Sequence, residues 1–172
     1  MKFYYKKSLP LITLSAMFLA TVWLANLALE RFGFVSVGFG LMAPAGVYFA
    51  GASFGLRDAI QEKGGKKLIV ALILFGGALS WFITPLFAIA SSIAFLFSEL
   101  ADFAVYSPLR QRHWVWAVTA SNLVGSIVDS IIFLTIAFGF ESLTFSGVAG
   151  ILLGKIYMIV PALLIVRWVR RK

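Results

Sequence analysis

The chain has no cysteine, which excludes a disulfide scaffold, a thiolate metal centre and a cysteine nucleophile. It has one histidine, His113, too few for a His-based zinc site and poorly placed for a Ser-His-Asp triad. Charge is also scarce: 15 Lys+Arg and 7 Asp+Glu in 172 residues, or 13%, against about 25% in an average soluble domain. So few charged side chains cannot cover the surface of a soluble globule of this size. Disorder is excluded by the same scarcity together with 16% aromatic residues. What is abundant is apolar: 61% of residues, with a mean hydropathy of +0.96. The class left standing is a small integral membrane protein. The net charge of +8 does not point to nucleic acid, because the basic residues fall in short clusters between long apolar runs.

A spanning helix takes about 20 mostly apolar residues. Ser8–Leu29 is the first such run. It follows Lys2, Lys6 and Lys7 but exceeds the usual apolar core of a signal peptide, so it reads as an uncleaved first helix. Val35–Leu56 is the second run, and Gln61–Lys67 a polar connection. Leu68–Tyr106 is too long for one span, and Thr84-Pro85 divides it into a short third helix, Leu68–Ile83, and a fourth, Pro85–Tyr106. Trp114–Phe138 is the fifth and Gly147–Trp168 the sixth. The expected fold is a single all-α, six-helix transmembrane domain over residues 1–172. With this count, 13 of the 15 basic residues lie on one side: the N-terminus, the connection carrying Arg57, Lys63, Lys66 and Lys67, the one carrying Arg110 and Arg112, and the C-terminus. The positive-inside rule then puts both termini in the cytoplasm.

Ionisable residues inside spans are costly in lipid and normally face a bundle interior or cavity. Glu99, Asp102, Asp129 and Lys155 are the four expected there. Glu99 and Asp102 are three apart on helix 4, hence on one face, with Ser91, Phe95 and Tyr106 on the same stripe. Helix 5 carries Asn122, Ser126, Asp129 and Phe133 at helical spacing, with Gly125 beside them. At about 1.5 Å per residue, Glu99 and Asn122 fall at similar depth on the cytoplasmic side of centre, whereas Asp129 and Lys155 lie near centre. Two polar layers are therefore expected. The second is open to two readings, a structural ion pair between helices 5 and 6 or part of a site. Asp102 has the alternative of pairing with Arg110 or Arg112. Gly51-x-x-x-Gly55 and Gly150-x-x-x-Gly154 read as packing motifs. Trp114, Trp116 and Trp168 read as interface anchors, and His113 as a solvated turn residue. Pro44-Ala-Gly46 is expected to interrupt helix 2. Catalytic patterns such as HExxH, GxSxG and Walker A are missing, so no enzyme activity and no cofactor or metal is expected.

The stretch Glu99-Leu-Ala-Asp102-Phe-Ala-Val-Tyr106-Ser-Pro-Leu-Arg110, followed by Ser121-Asn122, Gly125-Ser126 and Asp129-Ser130-x-x-Phe133, resembles the vitamin uptake transporter family, also called queuosine precursor transporters. Ala43-Pro44-Ala-Gly46, Gly51 and Phe54-Gly-Leu-Arg57-Asp58 resemble the helix 2 signature of its shorter members. The resemblance covers roughly residues 26–138. It implies a six-helix inner-membrane importer of 7-cyano-7-deazaguanine and 7-aminomethyl-7-deazaguanine, similar in fold to the substrate-binding subunits of energy-coupling-factor importers. The chemistry is compatible. A carboxylate from Glu99, Asp102 or Asp129 can accept the paired N–H and NH2 of a deazaguanine edge, and Asn122 can donate to the ring carbonyl. Phe95, Tyr106 or Phe133 can stack on the ring, with Ser126 alongside. Transport by the chain alone is the first expectation. A capture subunit needing a partner ATPase is the alternative, and an assembly protein without substrate a third. Partners are thus a deazapurine and the bilayer, with a homo-oligomer left open and no nucleic acid.

Overall fold

A computed structural model describes residues 5–109 and 114–158. Helix α1 (Tyr5–Phe32) ends at Gly33, whose φ of 60° turns the chain into a two-stranded hairpin. Its strands are β1 (Phe34–Gly38) and β2 (Leu41–Pro44). They pair antiparallel, Phe34 opposite Pro44 and Ser36 opposite Met42, with an irregularity between Ser36 and Gly38. The tip Gly38-Phe39-Gly40 has positive φ throughout, which two glycines make cheap. Helices α2 (Val47–Gly64) and α3 (Lys66–Ser80) follow, separated by Gly65 alone. After a turn at residues 81–84 come α4 (Pro85–Leu109), α5 (Trp114–Phe138), a single 3-10 turn (Phe140–Ser142) and α6 (Phe145–Ile156). Thr144 caps α6 by accepting from the Gly147 amide at 3.1 Å.

Three stretches are long and apolar enough to cross a membrane among the described residues: Leu11–Phe32, Pro85–Tyr106 and Thr119–Phe138. They coincide with the first, fourth and fifth expected spans, and Pro85 opens α4 as its first helical residue. The second expected run is different. Its first part is the hairpin, not helix, so the domain is mainly helical rather than all-α. The reason is local: Val35-Ser-Val-Gly38 is β-branched and punctuated by glycine, and Pro44 cannot sit in a helix interior. The second helix begins at Val47 and runs through the expected polar connection to Gly64. Helix α3 covers only 15 residues. Of the sixth run, the part beyond residue 158 lies outside the described residues, as do Arg110, Arg112 and His113.

The hairpin lies along α6. Phe34 meets Phe138 at the end of α5, with ring centroids 5.1 Å apart, while the Val37 carbonyl accepts from the Tyr157 hydroxyl at 3.1 Å. Val37 and Ala43 form an apolar cluster with Val47, Leu134 and Ile151. Gly150 permits this approach, because a Cβ there would strike the Met42 carbonyl. Gly51 does the same where α2 crosses α6: its Cβ would lie 3.0 Å from the Lys155 carbonyl. Both small-residue motifs thus sit at close crossings. A second cluster joins Leu14 and Phe18 of α1, Leu56, Ala59 and Ile60 of α2, Ile69 and Ile73 of α3, and Phe95 of α4.

Candidate functional site

The bundle buries polar residues within its apolar core and exposes large apolar ones. Asn26, Ser53, Arg57, Ser80, Ser98, Ser121, Ser130 and Lys155 are buried, whereas Leu74, Phe75, Phe97, Leu100, Trp116 and Leu123 are exposed. A bundle in lipid has this pattern, because its polar groups need one another and its apolar surface needs nothing. The two buried cations, Arg57 and Lys155, each centre a polar layer.

The first layer surrounds Arg57, which is 1% exposed on α2. Its Nη1 lies 2.6 Å from Glu99 Oε1, an ion pair by distance without hydrogen-bond alignment. Its Nη2 donates to Asn122 Oδ1 at 3.0 Å and lies 3.7 Å from Asp102 Oδ1. Three helices therefore meet at one guanidinium, whose planar fork suits several acceptors at once. The second layer surrounds Lys155 of α6, 4% exposed. Its Nζ donates to Asp129 Oδ2 at 2.6 Å, Ser130 Oγ at 3.2 Å and the Ser126 carbonyl at 3.3 Å. Paired and hydrogen-bonded in this way, a buried charge is tolerable.

Phe54 lies between the layers. Arg57 Cζ is 5.0 Å and Lys155 Nζ 5.4 Å from its ring centroid, both within cation–π range. The ring stacks on Phe95, with centroids 5.5 Å apart and planes 15° from parallel. Phe54 and Phe95, with Phe133, wall a cavity of about 80 Å3 measured to water centres. Its polar lining includes Asn26, Ser53, Ser91, Asp129, Ser130 and Lys155, and Pro44 and Gly46 bound it beside the hairpin. Asn26 is fixed by donating to Ser80 Oγ and the Val22 carbonyl, both at 3.1 Å.

Of the eight residues expected at a site, Phe95, Asp129 and Phe133 line this cavity. Glu99, Asp102 and Asn122 are brought together, but around Arg57 and one to two helical turns beyond the cavity wall. Ser126 serves the Lys155 layer through its backbone carbonyl, and Tyr106, half-buried, lies outside the cavity lining. Arg57 corrects the sequence reading directly. It was counted among the loop charges, yet it is an interior cation on α2. Phe54, Ser53 and Asn26 were not expected at a site. The missed signal is the spacing Gly46, Ala50, Ser53, Phe54, Arg57, which puts small, aromatic and basic residues on one helical face.

An interior built this way, with paired charges and aromatic walls around a small cavity beneath an apolar exterior, defines a membrane transporter for a small molecule. The model of a protein family described as "Putative vitamin uptake transporter" matches residues 77–169. The chain belongs to this vitamin uptake transporter family. No curated protein and no solved structure matches the chain.

Proposed function

We propose that this protein is an inner-membrane importer of queuosine precursors, 7-cyano-7-deazaguanine and 7-aminomethyl-7-deazaguanine, working without an ATPase and with both termini in the cytoplasm. The observation that supports it is the cavity, where flat aromatic walls meet one carboxylate. Phe54, Phe95 and Phe133 give a planar ring stacking surfaces. Lys155 holds Asp129 through Oδ2, and the proposed role of Oδ1 is to accept from the N–H and NH2 edge of the deazaguanine. Asn26 and Ser91 are proposed as further polar contacts. In this reading Glu99, Asp102 and Asn122 act through Arg57 rather than as the first ligands of the ring.

The test is binding of a deazapurine panel to detergent-purified protein, read as thermal stabilisation, followed by uptake into liposomes containing this chain alone. A ligand at 100 times its Kd should stabilise by about 2.7 kcal/mol. Stabilisation by 7-cyano-7-deazaguanine but not by guanosine, with uptake, is the expected result. Binding without uptake would favour the capture-subunit alternative. If no member of the panel stabilises correctly folded protein, the substrate assignment fails.

A further inference from the structure

We propose that the Arg57 cluster is the exit gate of the cavity, with Glu99, Asp102 and Asn122 as its acceptors and Phe54 as the latch it shares with the cavity wall; the direction of passage rests on the import reading above. Position carries the argument first. The cavity is lined by Pro44 and Gly46 at the hairpin, by Phe54 on α2, by Phe95 on α4 and by Asp129 on α5. On each of those helices the residue that meets the guanidinium, or the guanidinium itself, lies further from the hairpin: Arg57 one turn past Phe54, Glu99 one turn past Phe95, Asn122 two turns before Asp129. The cluster therefore closes the cavity on the side of the α2–α3 turn, where Lys63, Lys66 and Lys67 mark the cytoplasmic face. Among the described residues, the guanidinium joins α2, α4 and α5 across the way from the cavity to that face.

The contacts suit a closure that reopens. Each one is a discrete polar contact between different helices, so separating α2 from α4 and α5 breaks them together, and the Phe54–Phe95 stack between α2 and α4 parts with them. Exposure differs across the cluster: the Arg57 side chain is 2% exposed, while those of Glu99 and Asp102 are 15% and 16%. The acceptors thus sit nearer the surface of the bundle than the guanidinium does. Asp102 Oδ1, buried and without a hydrogen bond among the described residues, stands 3.7 Å from Nη2, within reach of a small shift of the guanidinium. Phe54 supplies the connection to the cavity. Its ring is simultaneously a cavity wall and a π surface for Arg57, so cargo that repositions the ring also loosens one contact of the gate.

The chain's lack of cysteine allows a clean test in the full-length membrane protein. Ser91→Cys places one thiol on the cavity lining, and Ser80→Cys, fully buried and off that lining, serves as the control. A membrane-impermeant thiol reagent is applied to sealed vesicles from the face carrying Lys63 and Lys67. Labelling of Ser91→Cys should be slow. Adding Glu99→Gln should accelerate it about tenfold or more, since losing one charge-assisted contact moves a two-state equilibrium by that order. Adding Phe54→Leu, which keeps bulk but removes the π face, should accelerate it about two- to fivefold. Ser80→Cys should stay unreactive in both backgrounds. Unchanged labelling of Ser91→Cys, or labelling of Ser80→Cys that rises in step, would overturn the gate. Because the reagent needs no cargo, the gate and the substrate assignment succeed or fail separately: expected labelling without deazapurine binding would refute only the latter.

Discussion

Neutralising one member of the Asp129–Lys155 pair should be far more damaging than neutralising both. Asp129→Asn leaves an ammonium 4% exposed, with the Ser130 hydroxyl and the Ser126 carbonyl as its remaining partners at 3.2 and 3.3 Å. Lys155→Met leaves a carboxylate whose 2.6 Å charged donor is gone. Breaking a buried pair typically costs about 3–5 kcal/mol, because the survivor keeps its desolvation penalty and loses its compensation. At about 2–4 °C per kcal/mol for a domain of this length, each single variant should melt roughly 6–20 °C below the parent. Asp129→Asn/Lys155→Met strands neither charge and keeps similar volumes, so it should regain at least half of that loss. The assay is thermal unfolding of detergent-purified protein, arranged as a double-mutant cycle. A double variant whose loss equals the sum of the singles would refute the reasoning, since the two groups would then not compensate each other. Each group would then stabilise the fold independently, with no contribution from their contact.

Three further outcomes are expected. Cysteines introduced singly at Glu141 and Lys63 should label from opposite faces of the membrane, Glu141 from the outside; labelling from the same face would remove the six-span topology. Gly150→Ala should lower the melting temperature by several degrees, because its Cβ meets backbone of β2 rather than a movable side chain, as in other overpacked sites costing about 1–3 kcal/mol; an unchanged melting temperature would show that the hairpin is not held against α6. A spin label at Phe39→Cys, at the tip, should be more accessible to oxygen than to a polar nickel chelate, because residues 34–44 carry no charge and Phe39 is 90% exposed; the reverse would place the hairpin in water.

The strongest periodic signals were legible in the sequence. The spans α1, α4 and α5 rest on uninterrupted apolar length, and Thr84-Pro85 marks a break for a reason that operates within two residues. The pairing of Asp129 with Lys155 was one of two readings open from depth alone, and the structure has that contact. The hairpin was hidden because apolar length cannot distinguish a helix from a short pair of apolar strands. Val35-Ser-Val and Leu41-Met-Ala are as apolar as a span, and only the glycines at 33, 38 and 40 separate them. That punctuation also suits a kinked helix. Deciding between the two needs the α6 surface on which Val37 and Ala43 pack, and that surface lies more than a hundred residues downstream.

Arg57 was misplaced by a sound rule applied at a boundary. Positive residues near the end of an apolar run normally lie in a loop, and Arg57-Asp58 follows such a run. Two long-range facts reverse the assignment. Losing residues 34–44 to the hairpin moves the start of α2 to Val47, so the helix must continue past Leu56 to complete its length. Glu99 and Asp102 on α4 then supply the anions that let a guanidinium remain inside. Seen from α4 alone, the same two acids looked like an unsatisfied carboxylate pair awaiting a ligand. A buried acid and a buried base each appear functional when their partner is assigned to solvent, and the error in one created the expectation for the other. Once Arg57 is inside, Asp129 is the carboxylate that lines the cavity, and in the function proposed above the burden of recognition shifts from the Glu99 layer to the aromatic walls beside it.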